Sequence, residues 1–362
     1  MEDSNLRIPG PVPLPKETLE IMSRQMINHR GHEYAMMLEE MSSNLKSVLM
    51  TKSDVYFITA SGTGAMESAI VNTTSPGDNI LSISIGWFGQ RFGDISDAYG
   101  CKTTRLEFAS GEPADPEKVK KEILKNNNYK AVLITHNESS SGVRNPLREI
   151  CEVIKNNSNA LILVDAVSSA AGTRISTDGW GIDIVATASQ KSWIAPPGIA
   201  MISFSEKAWK AYESSSSPKY YYDIKQYKDY LEIGQPPFTP ALTTMFALQY
   251  SLNRMIEEGV ENIFEKHSEI AKFTRTKAND IGLQILPKEE FASDTVTAIK
   301  LPENIDGKKL VNEIKENYNI VLGGGQQKLA GKIVRIGHMG WVEKKDIEDS
   351  INALKETLDK RN

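Results

Sequence analysis

Lys191, in Ser189-Gln190-Lys191-Ser192-Trp193, follows one apolar run, Ile182–Ala186, and precedes another, Ile199–Phe204. An amine held between two buried strands is costly to keep charged. Desolvation lowers its pKa and favours the free base, the form that attacks a carbonyl as a Schiff-base nucleophile. Taken alone, a surface lysine in a loop is the simpler reading, and Pro196-Pro197-Gly198 is compatible with an ordinary turn. Asp165 closes the apolar run Leu161–Val164. Open α/β sheets bind ligands at the carboxyl ends of their strands, and a buried aspartate needs a partner. A protonated pyridine nitrogen is one such partner, and a lysine Schiff base with an aspartate on the pyridinium is the arrangement that holds pyridoxal phosphate. The alternative for Asp165 is an N-cap of the next helix.

Three further segments end strand-like runs. Ser61-Gly62-Thr63-Gly64-Ala65-Met66-Glu67 combines small residues with a helix start, so its backbone amides can approach a phosphate. It is neither a Walker A loop nor a dinucleotide fingerprint: no Lys-Ser/Thr follows, and Glu67 stands where the third glycine belongs. Trp87, in Gly86-Trp87-Phe88-Gly89-Gln90-Arg91, is placed to stack on a flat ring or to fill a core. Ser139, in His136-Asn137-Glu138-Ser139-Ser140-Ser141-Gly142, offers a hydroxyl to a ring oxygen or merely forms a turn. His29 and His32 are three apart, but no clear carboxylate–histidine set completes a metal site, and none is expected. Cys101 and Cys151 form no CxxC pair and read as inert thiols.

The elements that must position these residues follow from periodicity. Short β-rich runs at Val55–Thr59, Ile80–Ile85, Ala131–Thr135, Ala160–Val164, Ile182–Ala186 and Ile199–Phe204 alternate with amphipathic stretches. Asp115-Pro116 and Asn145-Pro146 each read as an N-cap with proline at the first helical position. The pattern predicts an α/β fold with a mostly parallel sheet covered by helices on both faces. Pro9, Pro11, Pro13 and Pro15 exclude helix and predict an extended arm over residues 1–15. A large domain over 16–258 and a small α+β module over 259–362 follow, with Gly259 at the boundary. That agrees with 362 residues at about 150 per domain.

With 42 basic and 47 acidic residues the net charge is −5, which argues against nucleic acid or an anionic membrane as the main partner. The opening Met-Glu-Asp has no basic n-region or apolar h-region, and the apolar runs are far too short to span a bilayer. A cytoplasmic protein is expected.

Taken together, the order and spacing of these pieces resemble the class V, fold type I, pyridoxal-phosphate aminotransferases. The likeness is greatest to the alanine–glyoxylate, serine–pyruvate and serine–glyoxylate group, and runs from Pro9-Gly10-Pro11 to Arg335-Ile336-Gly337. Ser-Gln-Lys followed by Pro-Pro-Gly is its most specific motif. The resemblance implies a seven-stranded sheet and a pyridoxal 5'-phosphate cofactor. By it, Lys191 is the Schiff-base lysine, Asp165 the pyridinium partner, Trp87 the stacking ring and Ser139 the neighbour of the ring hydroxyl. Ser61, Gly62, Thr63 and Gln190 then surround the phosphate. Thr239, in Phe238-Thr239-Pro240, reaches the phosphate of a neighbouring subunit, implying a homodimer with shared sites. Arg335 binds the substrate carboxylate, with the Gly10 backbone beside it.

Some relatives carry a tyrosine where this chain has Pro236, so the resemblance does not imply a second contact across the dimer to the phosphate. The expected reaction moves an amino group from alanine or serine to glyoxylate or pyruvate, in ping-pong half-reactions. A class V aspartate aminotransferase is the alternative; its second cation would be sought among Arg30, Arg91 and His338. A cysteine desulfurase is disfavoured, because no cysteine follows Cys151. A non-catalytic protein on the same scaffold is disfavoured by the presence of every polar cofactor contact.

Overall fold

The computed structural model describes residues 4–361. In chain order the strands are β1 (Asn5–Arg7), β2 (Asp54–Ala60), β3 (Asn79–Ser84), β4 (Lys102–Glu107), β5 (Ala131–Thr135), β6 (Asn137–Glu138), β7 (Val143–Arg144), β8 (Leu161–Asp165), β9 (Ile184–Ala188), β10 (Gly198–Phe204), β11 (Val296–Lys300), β12 (Ile320–Gly324) and β13 (Ile333–Gly337). Seven of them form one sheet in the order β2-β10-β9-β8-β5-β3-β4. Only β10 runs antiparallel to its neighbours; the remaining pairs are parallel. The expected α/β sheet is therefore present, with every anticipated apolar run in it.

Its central strands β5, β8 and β9 are largely apolar and wholly buried because both faces are covered. Leu81, Ile83, Val132, Ile134, Ile162 and Val164 point to one core. The intervening Ile80, Ala131, Leu133, Leu161 and Leu163 point to the other. Each such side chain withdrawn from water contributes about 1.5–3 kcal/mol.

Periodicity misses β4, since Lys102-Thr103-Thr104-Arg105-Leu106-Glu107 is polar. It is an edge strand, and its Arg105 pairs with Asp94 and Asp97 on the helix Trp87–Ala98. Charge on an edge discourages pairing with another chain. Asp115 caps the helix Pro116–Lys125, accepting from the Glu117 amide at 2.9 Å. Asn145 does not cap the helix Leu147–Asn157. Its side chain instead donates to the Thr135 carbonyl and accepts from the Ala114 amide, each at 2.8 Å, tying the end of β5 to the loop before Pro116.

The second sheet has the order β1-β12-β13-β11. The strand β1 pairs parallel with β12, so the start of the chain is stitched into a sheet built from its last hundred residues. The helix Lys344–Asp359 buries Ile347, Ile351, Leu354 and Leu358 against this sheet, as their spacing predicts. Among the described residues no helix is long and apolar enough to cross a membrane.

Candidate active site

Parallel strands align their carboxyl ends, and the residues that leave β3, β5, β8 and β9 converge there. Asp165 is the last residue of β8, opposite Thr135 in the register with β5. Its Oδ2 accepts from Thr135 Oγ1 at 3.2 Å and its Oδ1 from the Val167 amide at 3.0 Å. No helix begins at Asp165, so the alternative reading as an N-cap does not hold; the bond to Val167 belongs to a turn. Burial pushes its carboxyl up to about 6, helped by the charge of Glu138 and opposed by these hydrogen bonds and by Lys191.

Lys191 sits in the loop that turns the chain from β9 back into antiparallel β10. Trp193 is fully buried and its indole donates to Thr187 Oγ1 at 2.8 Å, which anchors the loop to β9. Ser189 Oγ closes it by donating to the Pro196 carbonyl at 2.6 Å. The Lys191 amine, held between these clamps, donates to the carbonyl of Pro9. Burial and the nearby Arg335 bring its pKa down to about 8, against the pull of Asp165.

The N-terminal chain crosses directly over this lysine. A β-carbon at Gly10, whose φ is +93°, would stand 2.6 Å from Lys191 Nζ. One at Gly337 would stand 2.6 Å from the Ile8 carbonyl carbon, so the glycine of Arg335-Ile336-Gly337 makes room for the crossing segment. Arg335, on β13, donates from Nε to the Gly324 carbonyl at 2.9 Å and from Nη1 to the Ser139 carbonyl at 2.8 Å. Among the described residues these bonds, with a longer one to Gln326, are its polar contacts, and none is a carboxylate. Burial lowers its pKa to about 10. A buried guanidinium with only neutral partners is ready for an external anion.

Gly62 opens the helix Gly62–Thr73 and packs against Val167; a β-carbon there would meet Val167 Cγ2 at 2.5 Å. The free amides at that N-terminus thus lie beside the Asp165 turn. Ser61 is exposed at the N-cap and makes no side-chain cap bond. Thr63 Oγ1 accepts from Arg91 at 3.4 Å. Gln190 presents a buried Oε1 with no protein partner. An orphaned amide oxygen is costly, and it marks a place for a hydrogen-bond donor from outside the chain.

Trp87 begins the helix Trp87–Ala98 half-buried, and it is Trp193 that takes the core role. Ser139 is buried in the segment after β5. The chain therefore gathers Gly10, Gly62, Thr63, Trp87, Ser139, Asp165, Gln190, Lys191 and Arg335 around one face. Thr239 stands apart: it is exposed in the loop before the helix Leu242–Glu258.

Two candidate second cations fall away. His338 is wholly buried, bonded to Thr297 Oγ1 at 2.9 Å, and burial pushes it down to about 3, so it is neutral. Arg30 lies on the surface, bonded to Gln235 and stacked on Tyr230. Arg91 remains, lying over the rings of Trp87 and Phe88.

Sequence reasoning gave Glu138 no role, yet it is fully buried within this cluster and accepts four hydrogen bonds. A lone carboxylate among serines looks like a turn residue. The available signal was the helix at Trp87, which starts on a glycine and has no acidic residue in its first turn. Among the described residues no group of three or more His, Cys, Asp or Glu is placed to hold a metal ion.

Comparison with known proteins places this geometry in context. The aminotransferase class-V family model matches residues 18–348. An uncharacterized aminotransferase of Methanocaldococcus jannaschii is 43% identical, over 94% of this chain and 89% of that protein. A protein of Anabaena cylindrica named soluble hydrogenase 42 kDa subunit is 39% identical, over 98% and 92%. The L-aspartate–glyoxylate aminotransferase of Paracoccus denitrificans is 35% identical, over 92% and 85%. Among solved structures, an alanine–glyoxylate aminotransferase from Nostoc superposes with a TM-score of 0.95 at 28% identity, covering 99% of this chain and 96% of that one. The hydrogenase name belongs to that relative; this chain has two cysteines, too few for a four-thiolate iron–sulfur cluster. The chain belongs to the class V aminotransferases.

Proposed function

We propose that this aminotransferase uses pyridoxal 5'-phosphate to move an amino group from alanine or serine to glyoxylate or pyruvate, in two half-reactions sharing one site. The observation that carries the reading is the burial, close together, of an amine with a lowered pKa, an aspartate and an arginine that has no carboxylate partner among the described residues. The cradle suits the cofactor: the helix Gly62–Thr73 opens beside the Asp165 turn with no acidic residue in its first turn, so its backbone amides and positive end are offered to a phosphate.

When bound, pyridoxal phosphate supplies the aldehyde carbon and the electron-accepting ring. The protein supplies the rest. A lysine with a pKa near 8 has roughly one amine in ten unprotonated at pH 7, against roughly one in three thousand at 10.5. Lys191 would thus serve as nucleophile and, at Nζ, as the base that holds and returns the substrate's α-proton. Asp165, held by Thr135 and Val167, would offer a negative charge to the ring nitrogen and so favour its protonated form. Trp87 and Ser139 would take the ring face and the ring hydroxyl, and the start of the helix Gly62–Thr73, with Ser61, Thr63 and the Gln190 amide group, would take the phosphate. Arg335 orients the substrate carboxylate through its planar fork, alongside Gly10.

The working unit in this reading is a homodimer in which Thr239 reaches the partner's phosphate cup. The chain divides into an arm (1–15), a large domain (16–258) and a small domain (259–362). Two free, buried cysteines accord with a reducing, cytoplasmic setting.

Small uncharged donors are preferred because the chain offers one buried, unpaired arginine beside the lysine. Arg91 gives the aspartate reading its support, since it lies against Trp87 and bonds Thr63, with no carboxylate partner among the described residues. A panel of single-turnover half-reactions, following conversion of the aldehyde cofactor to its amine form, decides between them. Alanine or serine should react fastest. Aspartate outpacing both by about tenfold, or 1.4 kcal/mol of transition-state preference, would overturn the small-donor claim. No conversion by any amino acid would overturn the aminotransferase reading.

A further inference from the structure

We propose that Glu138 is a positioning residue that holds the Trp87 platform and the Arg335 anchor in one frame; the inference rests on the roles given above to those two residues. The Glu138 side chain is completely buried, and all four of its partners donate. Its Oε2 accepts from the backbone amides of Phe88 and Gly89 at 3.0 and 3.2 Å. Its Oε1 accepts from the amide and hydroxyl of Ser140 at 3.1 and 2.6 Å. Burial pushes the Glu138 carboxyl up and these four donors pull it back down; three of them are backbone N–H groups, which cannot accept, so the geometry is that of a carboxylate.

One oxygen therefore closes the open N-terminus of the helix Trp87–Ala98, where a negative charge is favoured and the helix has no acidic residue in its own first turn. The other oxygen fixes Ser140, whose hydroxyl in turn accepts from the Trp87 amide at 3.2 Å. The next residue back, Ser139, gives its carbonyl to Arg335 at 2.8 Å. One carboxylate thus joins the ring that would stack on the cofactor to the carbonyl that aims the substrate-binding guanidinium. Residue 86 follows from the same packing: a β-carbon at Gly86 would stand 2.6 Å from Glu138 Cγ and from Ser140 Oγ. The charge of Glu138 also supports the positive charge of buried Arg335.

The test is E138Q, with E138D as the conservative variant. Glutamine keeps one acceptor oxygen and turns an amide nitrogen toward N–H donors, so one arm of the bridge breaks. In the cofactor-free protein labelled with 5-fluorotryptophan, the Trp87 resonance is assigned as the one missing from W87F. E138Q should broaden or split that resonance alone among the five tryptophans. In the holoenzyme E138Q should raise KM for the amino donor about tenfold while kcat changes by about threefold or less. E138D, which keeps the charge, should recover part of both effects. An unchanged Trp87 resonance would overturn the proposal. So would equal perturbation of all five resonances, or a lowered melting temperature with unchanged KM, since either describes a general structural role. A wild-type enzyme inert toward every amino acid would refute the aminotransferase reading instead, and the fluorine spectra of the cofactor-free protein would still decide the role of Glu138.

Discussion

Gly10 lies directly against Lys191: a β-carbon at residue 10 would come within 2.6 Å of both Cδ and Nζ of the lysine. The backbone there has φ +93°, which an L side chain adopts only under strain. Gly10→Ala should therefore displace the lysine or the crossing segment while leaving the sheets intact. The expected result is a loss of about a hundredfold in kcat/KM, the scale of a misplaced reacting group, with the far-ultraviolet circular dichroism unchanged. Near-wild-type turnover would mean that this crossing does not constrain Lys191.

Asp165→Asn keeps the shape of the side chain and removes its charge. The amide oxygen can still accept from Thr135 or Val167, so the fold should persist. Turnover should fall about a hundredfold or more, the usual scale for losing a positioned proton-holding group. A rate within twofold of wild type would place the ring nitrogen's partner elsewhere.

Much of this arrangement is legible in the sequence. Unbroken apolar strands ending in Asp165 and in the Lys191 loop identify the sheet and its carboxyl edge, since burial on both faces leaves a compositional trace. The edge strand Lys102–Glu107 leaves no such trace, because one side of it meets water. Glu138 was silent for a related reason. Its partners are backbone amides of a helix fifty residues earlier, and a long-range cap has no local spacing. His338 illustrates the converse: a histidine next to a functional motif reads as a candidate cation until burial and Thr297 make it neutral.

The rate at which the cofactor-free protein captures pyridoxal phosphate should depend on pH through Lys191. Below its pKa the amine is protonated and cannot attack, so the rate should rise about tenfold per unit as pH increases. It should level off near pH 8, where burial and Arg335 have brought the lysine, against the opposing charge of Asp165. Stopped-flow absorbance from pH 6 to 10 makes the measurement. A rate still climbing toward pH 10 would describe an ordinary, solvated lysine.

Thr239 is exposed beside an aromatic patch in which Tyr220 and Tyr221 pack around Phe238. Tyr220 is 75% exposed and Ile233, on the preceding turn, 62%. Exposed apolar surface of this kind marks a contact face. Sedimentation should give twice the 40.2 kDa chain mass at assay concentration. Thr239→Ala should weaken pyridoxal phosphate binding about tenfold, the loss of one hydrogen bond to a charged group, without dissociating the dimer. A fully active monomer would contradict the shared site.

The most direct test of the account is chemical mapping of the lysine. Borohydride reduction of the protein loaded with pyridoxal phosphate, followed by digestion and mass spectrometry, locates the attached pyridoxyl group. The account predicts that it lies on Lys191 in the peptide containing Ser189-Gln190-Lys191-Ser192-Trp193, and that Lys191→Ala abolishes both the label and turnover while leaving the fold intact. A stoichiometric label on any other lysine, or turnover that survives Lys191→Ala at near the wild-type rate, would contradict it.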